Sequence, residues 1–239
     1  MSDKVTFTID GVEIRAARGK KIIEAAEEVG IYIPRLCWMK ELSPGGSCRL
    51  CTVLVNGRPQ SACTQPVADG LTVQNDVPEI HAWRKQILEM LLVEGNHFCM
   101  VCEKSGNCAL QAMAYRHGIT APRYPFLFPK RAVDASHPDV LVDHNRCILC
   151  GLCVRASREA DGKNVFGVVG RGHHARIAVD AEGGLGATDF AAVDRAASIC
   201  PVGAILKKRV GFAVPVGERL YDQQPIGSDV EATRRPEGK

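Results

Sequence analysis

The chain has 239 residues, enough for one large domain or two to three small ones, and 46% of them are hydrophobic, so it can bury a core. The net charge of +3 comes from scattered basic residues, which argues against the clustered basic face of a nucleic-acid-binding protein. No apolar run approaches the ~18 residues of a membrane span, and the N-terminal MSDKVTFTID lacks the apolar core of a signal peptide, so we expect a cytoplasmic protein without membrane insertion.

Residues 1–76 predict a small mixed sheet crossed by one helix. Asp10-Gly11 is a strong hairpin-turn dipeptide, and Gly30 is a helix stop signal. Alternating apolar and polar residues predict the strands, and the helix precedes Gly30. The expected strands are 4–9, 12–16, 51–55 and 71–75, and the expected helix is 20–29.

Residues 77–120 predict a small helical region. The clearest helical period spans 78–93, and a second helix is expected at 108–116. In the first helix one face is expected to pack into the core, and its members are Ile80, Trp83, Ile87, Met90 and Leu91. The following segment, 121–138, contains four prolines and is expected to be a connector.

Residues 139–212 predict a final domain that mixes strands and helices. We expect strands at 140–142, 165–169 and 175–179, and helices at 148–160 and 188–199. The tail at 213–239 combines prolines with many charges and is expected to be extended.

The outlying feature of the composition is its eleven cysteines. Cytoplasmic thiols stay reduced, and an odd number cannot all pair in disulfides, so these cysteines indicate metal or redox centres. They fall into three groups along the chain. Set 1 is Cys37, Cys48, Cys51 and Cys63; set 2 is Cys99, Cys102 and Cys108; set 3 is Cys147, Cys150, Cys153 and Cys200.

Set 1 has the spacing C-x10-C-x2-C-x11-C, and four thiolates with a short C-x2-C pair suit a [2Fe–2S] cluster. Gly45 and Gly46 lie just before Cys48, and glycines let backbone amides approach inorganic sulfide closely. The alternative is a structural zinc site, which also uses four cysteines but usually in two knuckle pairs.

Set 2 has three cysteines, one ligand fewer than a four-iron cluster requires. His97 is the nearest candidate for the missing ligand, because it lies two residues before Cys99. The predicted [4Fe–4S] ligands are His97, Cys99, Cys102 and Cys108. The alternatives are zinc bound by three cysteines and a histidine, or a three-iron cluster with His97 unbound.

Set 3 begins the bacterial ferredoxin run C-x2-C-x2-C-x3-C-P, in which the fourth cysteine ligates the other of two clusters. The fourth position here is Ser157, whereas Cys200-Pro201 ends a second copy of the run. The remaining cysteine positions of that copy hold Phe190, Val193 and Ala196. One complete ligand set therefore remains, and it predicts a second [4Fe–4S] cluster.

One further pattern is rejected. Residues 170–175, GRGHHA, fit a dinucleotide-binding motif, but an alternating segment follows where that motif needs a helix, so we predict a hairpin turn. No Ser/His/Asp or Cys/His arrangement typical of catalysis stands out, and we expect a non-catalytic chain.

The three sets, in this order, resemble the N-terminal electron-transfer portion of the large iron–sulfur subunit of respiratory NADH dehydrogenase (complex I). A similar portion occurs in iron-only hydrogenases and NAD-linked formate dehydrogenases. The resemblance covers about residues 1–210. It implies an α+β chain with a ferredoxin-like β-grasp domain at 1–76, a small helical His/Cys3 cluster domain at 77–120, a connector at 121–138, a bacterial-ferredoxin-like domain at 139–212 and a tail at 213–239.

Two departures narrow the resemblance. First, the complex I family has the spacing H-x3-C, which would place its histidine at Gly95, whereas this chain has H-x-C. Second, the large complex I subunit continues into a further domain. Residues 94–114 look most similar to the small diaphorase subunit of soluble NAD-reducing nickel–iron hydrogenases. That resemblance implies electron relay between a flavin/NAD-binding diaphorase subunit and the small and large subunits of a nickel–iron hydrogenase.

Two other functions remain open on the sequence. One is the same module in an NAD-linked formate dehydrogenase or a complex I-type enzyme. The other is a zinc-stabilised structural or interaction protein without a redox role, and colour separates it from the rest, because zinc sites are colourless and iron–sulfur clusters are brown.

Overall fold

The computed structural model describes residues 4–234, and its N-terminal part is a five-stranded sheet. The strands are β1 (Lys4–Ile9), β2 (Val12–Ala17), β3 (Thr52–Val55), β4 (Arg58–Ser61) and β5 (Thr72–Gln74), in the order β2-β1-β5-β3-β4. β1 pairs with β2 antiparallel and with β5 parallel. Helix α1 (Ile22–Glu28) packs its buried residues into the same core as the sheet. The expected mixed sheet with one helix across it is confirmed.

Two hairpins set the register of this sheet. Asp10-Gly11 joins β1 to β2 and Asn56-Gly57 joins β3 to β4, with all four residues at positive φ. Such turns match the twist of paired strands and favour these residue pairs. The strand β4 was not expected from the sequence. It contains Pro59 and lies at the sheet edge, where a missing N–H donor costs little.

Two helices follow, α2 (Pro78–Val93) and α3 (Ala109–Arg116), close to their predicted positions. The predicted buried face of α2 is only partly right. Ile80 is buried as expected, but Met90 is 45% exposed, and two charged residues, Arg84 and Glu89, are buried instead. Glu89 is neutralised by Arg123, which donates three hydrogen bonds of 2.7–3.0 Å to its carboxylate.

The last domain has two small sheets. Strands β6 (Val133–Asp134), β7 (Val140–Asp143) and β10 (Ile205–Lys207) form an antiparallel sheet in the order β10-β7-β6, and β8 (Phe166–Val169) pairs with β9 (Arg176–Val179). Residues 170–175 form the turn between β8 and β9, so the rejected dinucleotide motif lies in a hairpin as predicted. Helix α4 (Leu152–Glu159) begins after the left-handed Gly151.

The helix expected at 188–199 is wrong over most of its length. Only α5 (Arg195–Ser198) is helical. The Asp161 carboxylate accepts the backbone N–H groups of Arg195 and Ala196 at 2.7 and 3.0 Å, which satisfies the free donors of a helix that starts there. Asp194 accepts the N–H of Ala191 at 2.8 Å and keeps the preceding residues in a turn.

The expected extended tail is also wrong over 213–234, and 235–239 lie outside the described residues. The tail contains α6 (Leu220–Gln223) and α7 (Ser228–Glu231). Hydrogen bonds attach the tail to the rest of the chain. The N–H of Tyr221 donates to the Gly106 carbonyl at 2.9 Å, and Arg116 donates to the Ile226 carbonyl at 2.8 Å. Within 4–234, no helix is long and apolar enough to cross a membrane.

Arg84 attaches α2 to the N-terminal sheet. It is 2% exposed, and its guanidinium donates to the backbone carbonyls of Leu50 (3.1 Å), Thr52 (3.0 Å) and Asn75 (3.1 Å), and to Oδ1 of Asn75 (2.7 Å). Burial lowers the pKa of Arg84 to about 10, so the group stays charged at neutral pH. Two of its carbonyl partners, Leu50 and Thr52, flank Cys51 of set 1.

We predict that Arg84→Ala lowers the free energy of unfolding by about 3 kcal/mol or more. Each buried carbonyl left without a donor costs about 1–3 kcal/mol, and this substitution deprives several at once. The measurement is the urea midpoint under anaerobic conditions, followed by far-UV circular dichroism. Gln86→Ala, an exposed position on the same helix, is the control. Equal midpoints for the two variants would contradict the prediction.

Candidate iron–sulfur centres

The structure gathers the four cysteines of set 1 at the end of the N-terminal sheet nearest β3 and β4. The four cysteines are close neighbours, because the pKa of the Cys37 thiol responds to Cys48 and Cys63 and that of the Cys51 thiol responds to Cys63. The hydrogen bond from Cys48 is the largest cause of a lowered pKa at Cys37, and the bond from Cys63 lowers the pKa of Cys51 to about 7. The backbone N–H of Cys48 also points at the Cys37 sulfur, 3.4 Å away. The set thus forms one compact group of sulfur donors.

The short C-x2-C loops of sets 1 and 3 share an unusual backbone conformation. Arg49, inside Cys48–Cys51, has φ of 58°, and Leu149, inside Cys147–Cys150, has φ of 53°. Non-glycine residues rarely adopt left-handed backbone, and such residues concentrate at functional sites. At Leu149 the turn directs the backbone N–H toward the Cys147 sulfur at 3.4 Å. Amide donors of this kind orient metal-binding sulfurs and tune them.

Set 2 lies between α2 and α3, with Cys99 in a 3-10 turn and Cys108 immediately before α3. Burial, with smaller contributions from the nearby Cys99 and Cys102, raises the pKa of Cys108 to about 12. The three cysteines are therefore close neighbours, as the sequence predicted.

His97 has the properties that a neutral nitrogen ligand requires. Burial lowers its pKa to about 4, so the imidazole is uncharged at neutral pH. Its Nε2 is buried and has no hydrogen-bond partner, which is costly for a polar atom. The ring also lies so close to Gly95 that a Cβ there would be 2.5 Å from Nε2.

Set 3 lines a single cavity. All four cysteines border it together with apolar side chains, among them Val142, Ile177 and Val202. Burial raises the pKa of Cys147, Cys150 and Cys153, and Cys200 raises each of them further. The distant Cys200 is thus brought to the short cysteine run, as the broken ferredoxin repeat predicted.

Set 3 lies next to both other sets. On one side, Arg155 donates to the backbone carbonyls of Cys37 and Cys150, at 2.7 and 3.0 Å. On the other side, Arg146 lies 3.6 Å from the Cys102 sulfur, and a backbone bond of 2.8 Å joins Ala109 to Pro201. Set 3, the last of the three along the chain, therefore neighbours both of the others in space.

Gly203 makes the contact between sets 2 and 3 possible. A Cβ at this position would lie 2.7 Å from the Cys102 sulfur, well inside van der Waals contact. Only glycine lets the segment between Cys200 and β10 pass this close to set 2.

The donor groups fit iron–sulfur clusters on chemical grounds. A buried thiol with a raised pKa is protonated at neutral pH, and it becomes a thiolate when a metal ion supplies positive charge. Set 3 combines three such thiols and the Cys200 thiol with an apolar lining, and set 2 combines two such thiols and the Cys102 thiol with an unpartnered imidazole nitrogen. Among residues 4–234, no three His, Cys, Asp or Glu side chains converge on the position of a single metal ion.

Three sequence families match consecutive parts of the chain. A "2Fe-2S iron-sulfur cluster binding domain" matches residues 2–78, an "NADH-ubiquinone oxidoreductase-G iron-sulfur binding region" matches 84–123, and a "4Fe-4S single cluster domain" matches 140–206. All three are iron–sulfur families, and this favours clusters over the zinc alternative.

Relatives of similar length include a hydrogenase subunit and a chain in a solved structure. The gamma subunit of the NAD-reducing hydrogenase HoxS of Cupriavidus necator is 42% identical over 93% of this chain and 95% of its own length. A chain in the crystal structure of an NAD+-reducing [NiFe]-hydrogenase in the H2-reduced state is 48% identical, with a TM-score of 0.92 over 97% of this chain and 99% of that one. The protein belongs to this family of hydrogenase iron–sulfur subunits.

Members of the hydrogenase iron–sulfur family are related to larger electron-transfer subunits. The mitochondrial 78 kDa subunit of NADH-ubiquinone oxidoreductase from Candida albicans is 35% identical over 87% of this chain, which spans 29% of that subunit. The alpha subunit of an NADPH-Fe(3+) oxidoreductase from Geobacter sulfurreducens is 37% identical, and the chain spans 24% of it. The protein is thus an iron–sulfur electron-transfer subunit of an NAD-reducing hydrogenase or a complex I-type NADH oxidoreductase, and its partners are other subunits.

The sequence interpretation missed the basic residues around the cysteine sets. Arg84 and Arg155 were not singled out, although both are buried and bonded to backbone carbonyls beside set 1 or set 3. A helical period was the available signal. Arg84 lies four residues from both Ile80 and Leu88, and Arg155 three residues after Leu152, so both are on buried helix faces.

Proposed function

We propose that this chain relays electrons between a flavin/NAD-binding diaphorase subunit and the small and large subunits of a nickel–iron hydrogenase in the cytoplasm, coupling H2 oxidation to NAD reduction. The observation that carries the proposal is the similarity to NAD-reducing hydrogenase chains, at 42% and 48% identity, against 37% and 35% for the NADPH-Fe(3+) and NADH-ubiquinone oxidoreductase subunits. A complex I-type assembly is the second candidate, supported by the family match at 84–123.

We assign the ligands residue by residue. One [2Fe–2S] cluster is held by Cys37, Cys48, Cys51 and Cys63, and two [4Fe–4S] clusters are held by His97, Cys99, Cys102 and Cys108 and by Cys147, Cys150, Cys153 and Cys200. The convergence of thiols in each set supports the assignment. The unpartnered Nε2 supports His97 as the fourth ligand of set 2. Bound clusters of this kind accept and donate single electrons.

The residues of the chain have three tasks in this relay. They bind the iron through thiolates, they exclude water from the sulfurs, and they fix the separations between the sets. The apolar lining of set 3 serves the second task, while Arg155 and Gly203 bring set 3 against its two neighbours. Because set 3 touches both other sets, its cysteines occupy the middle of the route. None of these tasks requires an acid or a base.

The proposal predicts about ten irons and little zinc per chain in anaerobically purified protein. Acid-labile sulfide should match the iron content, and low-temperature EPR after reduction should show both two-iron and four-iron signals. Stoichiometric zinc without an EPR signal would overturn the electron-transfer function. Subunits that co-purify with the chain separate the hydrogenase assignment from the complex I-type candidate.

Cys200→Ala should remove or degrade one four-iron centre and leave the two-iron signal intact. Cys200 is the single ligand of set 3 that lies outside the short cysteine run, and its loss opens one side of the cavity. We expect about six irons per chain, with the EPR signal of set 1 unchanged. Retention of all ten irons would show that the grouping is wrong.

Gly95→Ala should disturb only the cluster of set 2. The added Cβ would lie 2.5 Å from Nε2 of His97 and forces the imidazole to move. We expect a changed or lost EPR signal for that cluster, with the other two signals retained. Gly167→Ala is the matched control, because a Cβ at Gly167 meets no atom within 4 Å. A signal unchanged by Gly95→Ala would argue against His97 as a ligand.

A further inference from the structure

Arg155, in α4, connects set 1 to set 3 through one buried guanidinium. The residue is 7% exposed. Its Nη2 donates to the carbonyl of Cys37 at 2.7 Å and to the carbonyl of Cys150 at 3.0 Å. A single nitrogen atom therefore bridges the backbones of two cysteines that belong to different sets.

The same side chain holds the loop that leads to Cys48. Nη1 of Arg155 donates to the Ser43 carbonyl at 2.5 Å, and Glu159, one helical turn later, accepts the N–H and the hydroxyl of Ser43 at 2.8 and 2.5 Å. Gly45 leaves room for the guanidinium, since a Cβ there would be 3.0 Å from Nη2. Helix α4 of the last domain thus holds the set 1 loop of the first domain through two side chains.

Within residues 4–234, no carboxylate forms an ion pair with the Arg155 guanidinium. Its four hydrogen bonds, the fourth from Nε to the Gly151 carbonyl at 3.2 Å, all go to backbone oxygens. A buried cation with only neutral partners is costly. Thiolate-ligated clusters carry net negative charge, which grows on reduction, and charge and hydrogen bonds near the sulfurs set the reduction potential. A cation between sets 1 and 3 would stabilise the reduced form of both.

We propose that Arg155 is a positioning residue that holds the clusters of sets 1 and 3 at a fixed separation and raises the reduction potentials of both. The inference rests on the proposed function, because it presupposes a cluster at each set. It adds a residue that binds no iron yet governs electron exchange between two centres.

The test compares the full chain with three variants. Arg155→Met removes the charge and the hydrogen bonds, and Arg155→Lys keeps the charge on a group that cannot span all four carbonyls. Arg158→Met is the matched control, since Arg158 is on the same helix, its side chain is 59% exposed and it bonds to Glu159. Iron and sulfide are measured first, then potentials by EPR redox titration, then magnetic coupling between clusters by pulsed EPR.

In Arg155→Met we expect the potentials of the set 1 and set 3 clusters to become more negative, while that of the set 2 cluster stays unchanged as an internal reference. The magnetic coupling between the set 1 and set 3 clusters should weaken or become heterogeneous. Arg155→Lys should restore the potentials but not the coupling. Arg158→Met should match the wild type in every measurement.

Several results would overturn the inference. Wild-type potentials and coupling in fully loaded Arg155→Met would do so, as would an equal shift in Arg158→Met. If Arg155→Met fails to hold iron, Arg155→Lys decides, and wild-type coupling in that variant would rule out the positioning role. A wild-type chain without clusters would overturn the proposed function itself, and this inference with it.

Discussion

The main physical constraint on this structure is that sulfur ligands must be buried in an apolar interior, where a thiolate charge is unfavourable. Burial raises the pKa of cysteines in sets 2 and 3, so these thiols favour the neutral form until iron supplies compensating charge. The same constraint accounts for the neutral imidazole of His97, whose pKa burial lowers to about 4. The ligands of these sets are therefore brought together by the fold while still neutral, and metal binding supplies the positive charge that makes the thiols into thiolates.

Two buried arginines place positive charge beside the cysteine sets. Arg84 and Arg155 both donate to backbone carbonyls beside cysteines, and both come from a helix outside the domain they hold. Carbonyl partners leave the positive charge uncancelled, whereas a carboxylate would neutralise it. The domains are thus joined by contacts that also place positive charge near the sites of negatively charged clusters.

The sequence was most informative where chemistry dictates spacing. The cysteine sets, the hairpin at Asp10-Gly11 and the helix at 78–93 follow from local patterns; the structure has the hairpin and the helix, and it places the cysteines of set 3 around one cavity. Local patterns were misleading where groups distant in sequence determine the local structure. The helix expected at 188–199 is cut short because Asp161, over thirty residues away, receives the amides of Arg195 and Ala196. Arg155 was missed for the same reason, since its carbonyl partners Cys37 and Ser43 lie more than a hundred residues away.

The C-terminal tail has a consequence for how the protein is made. Its helices lie against Gly106 in the loop of set 2 and against Tyr32 in the first domain, where a Cβ at Gly227 would be 2.4 Å from the aromatic ring. Translation proceeds from the N-terminus, so residues 213–234 are synthesised after all eleven cysteines. The segment that contacts the loop of set 2 is therefore the last part of the described fold to leave the ribosome, and until then this loop lacks its hydrogen bonds to the tail.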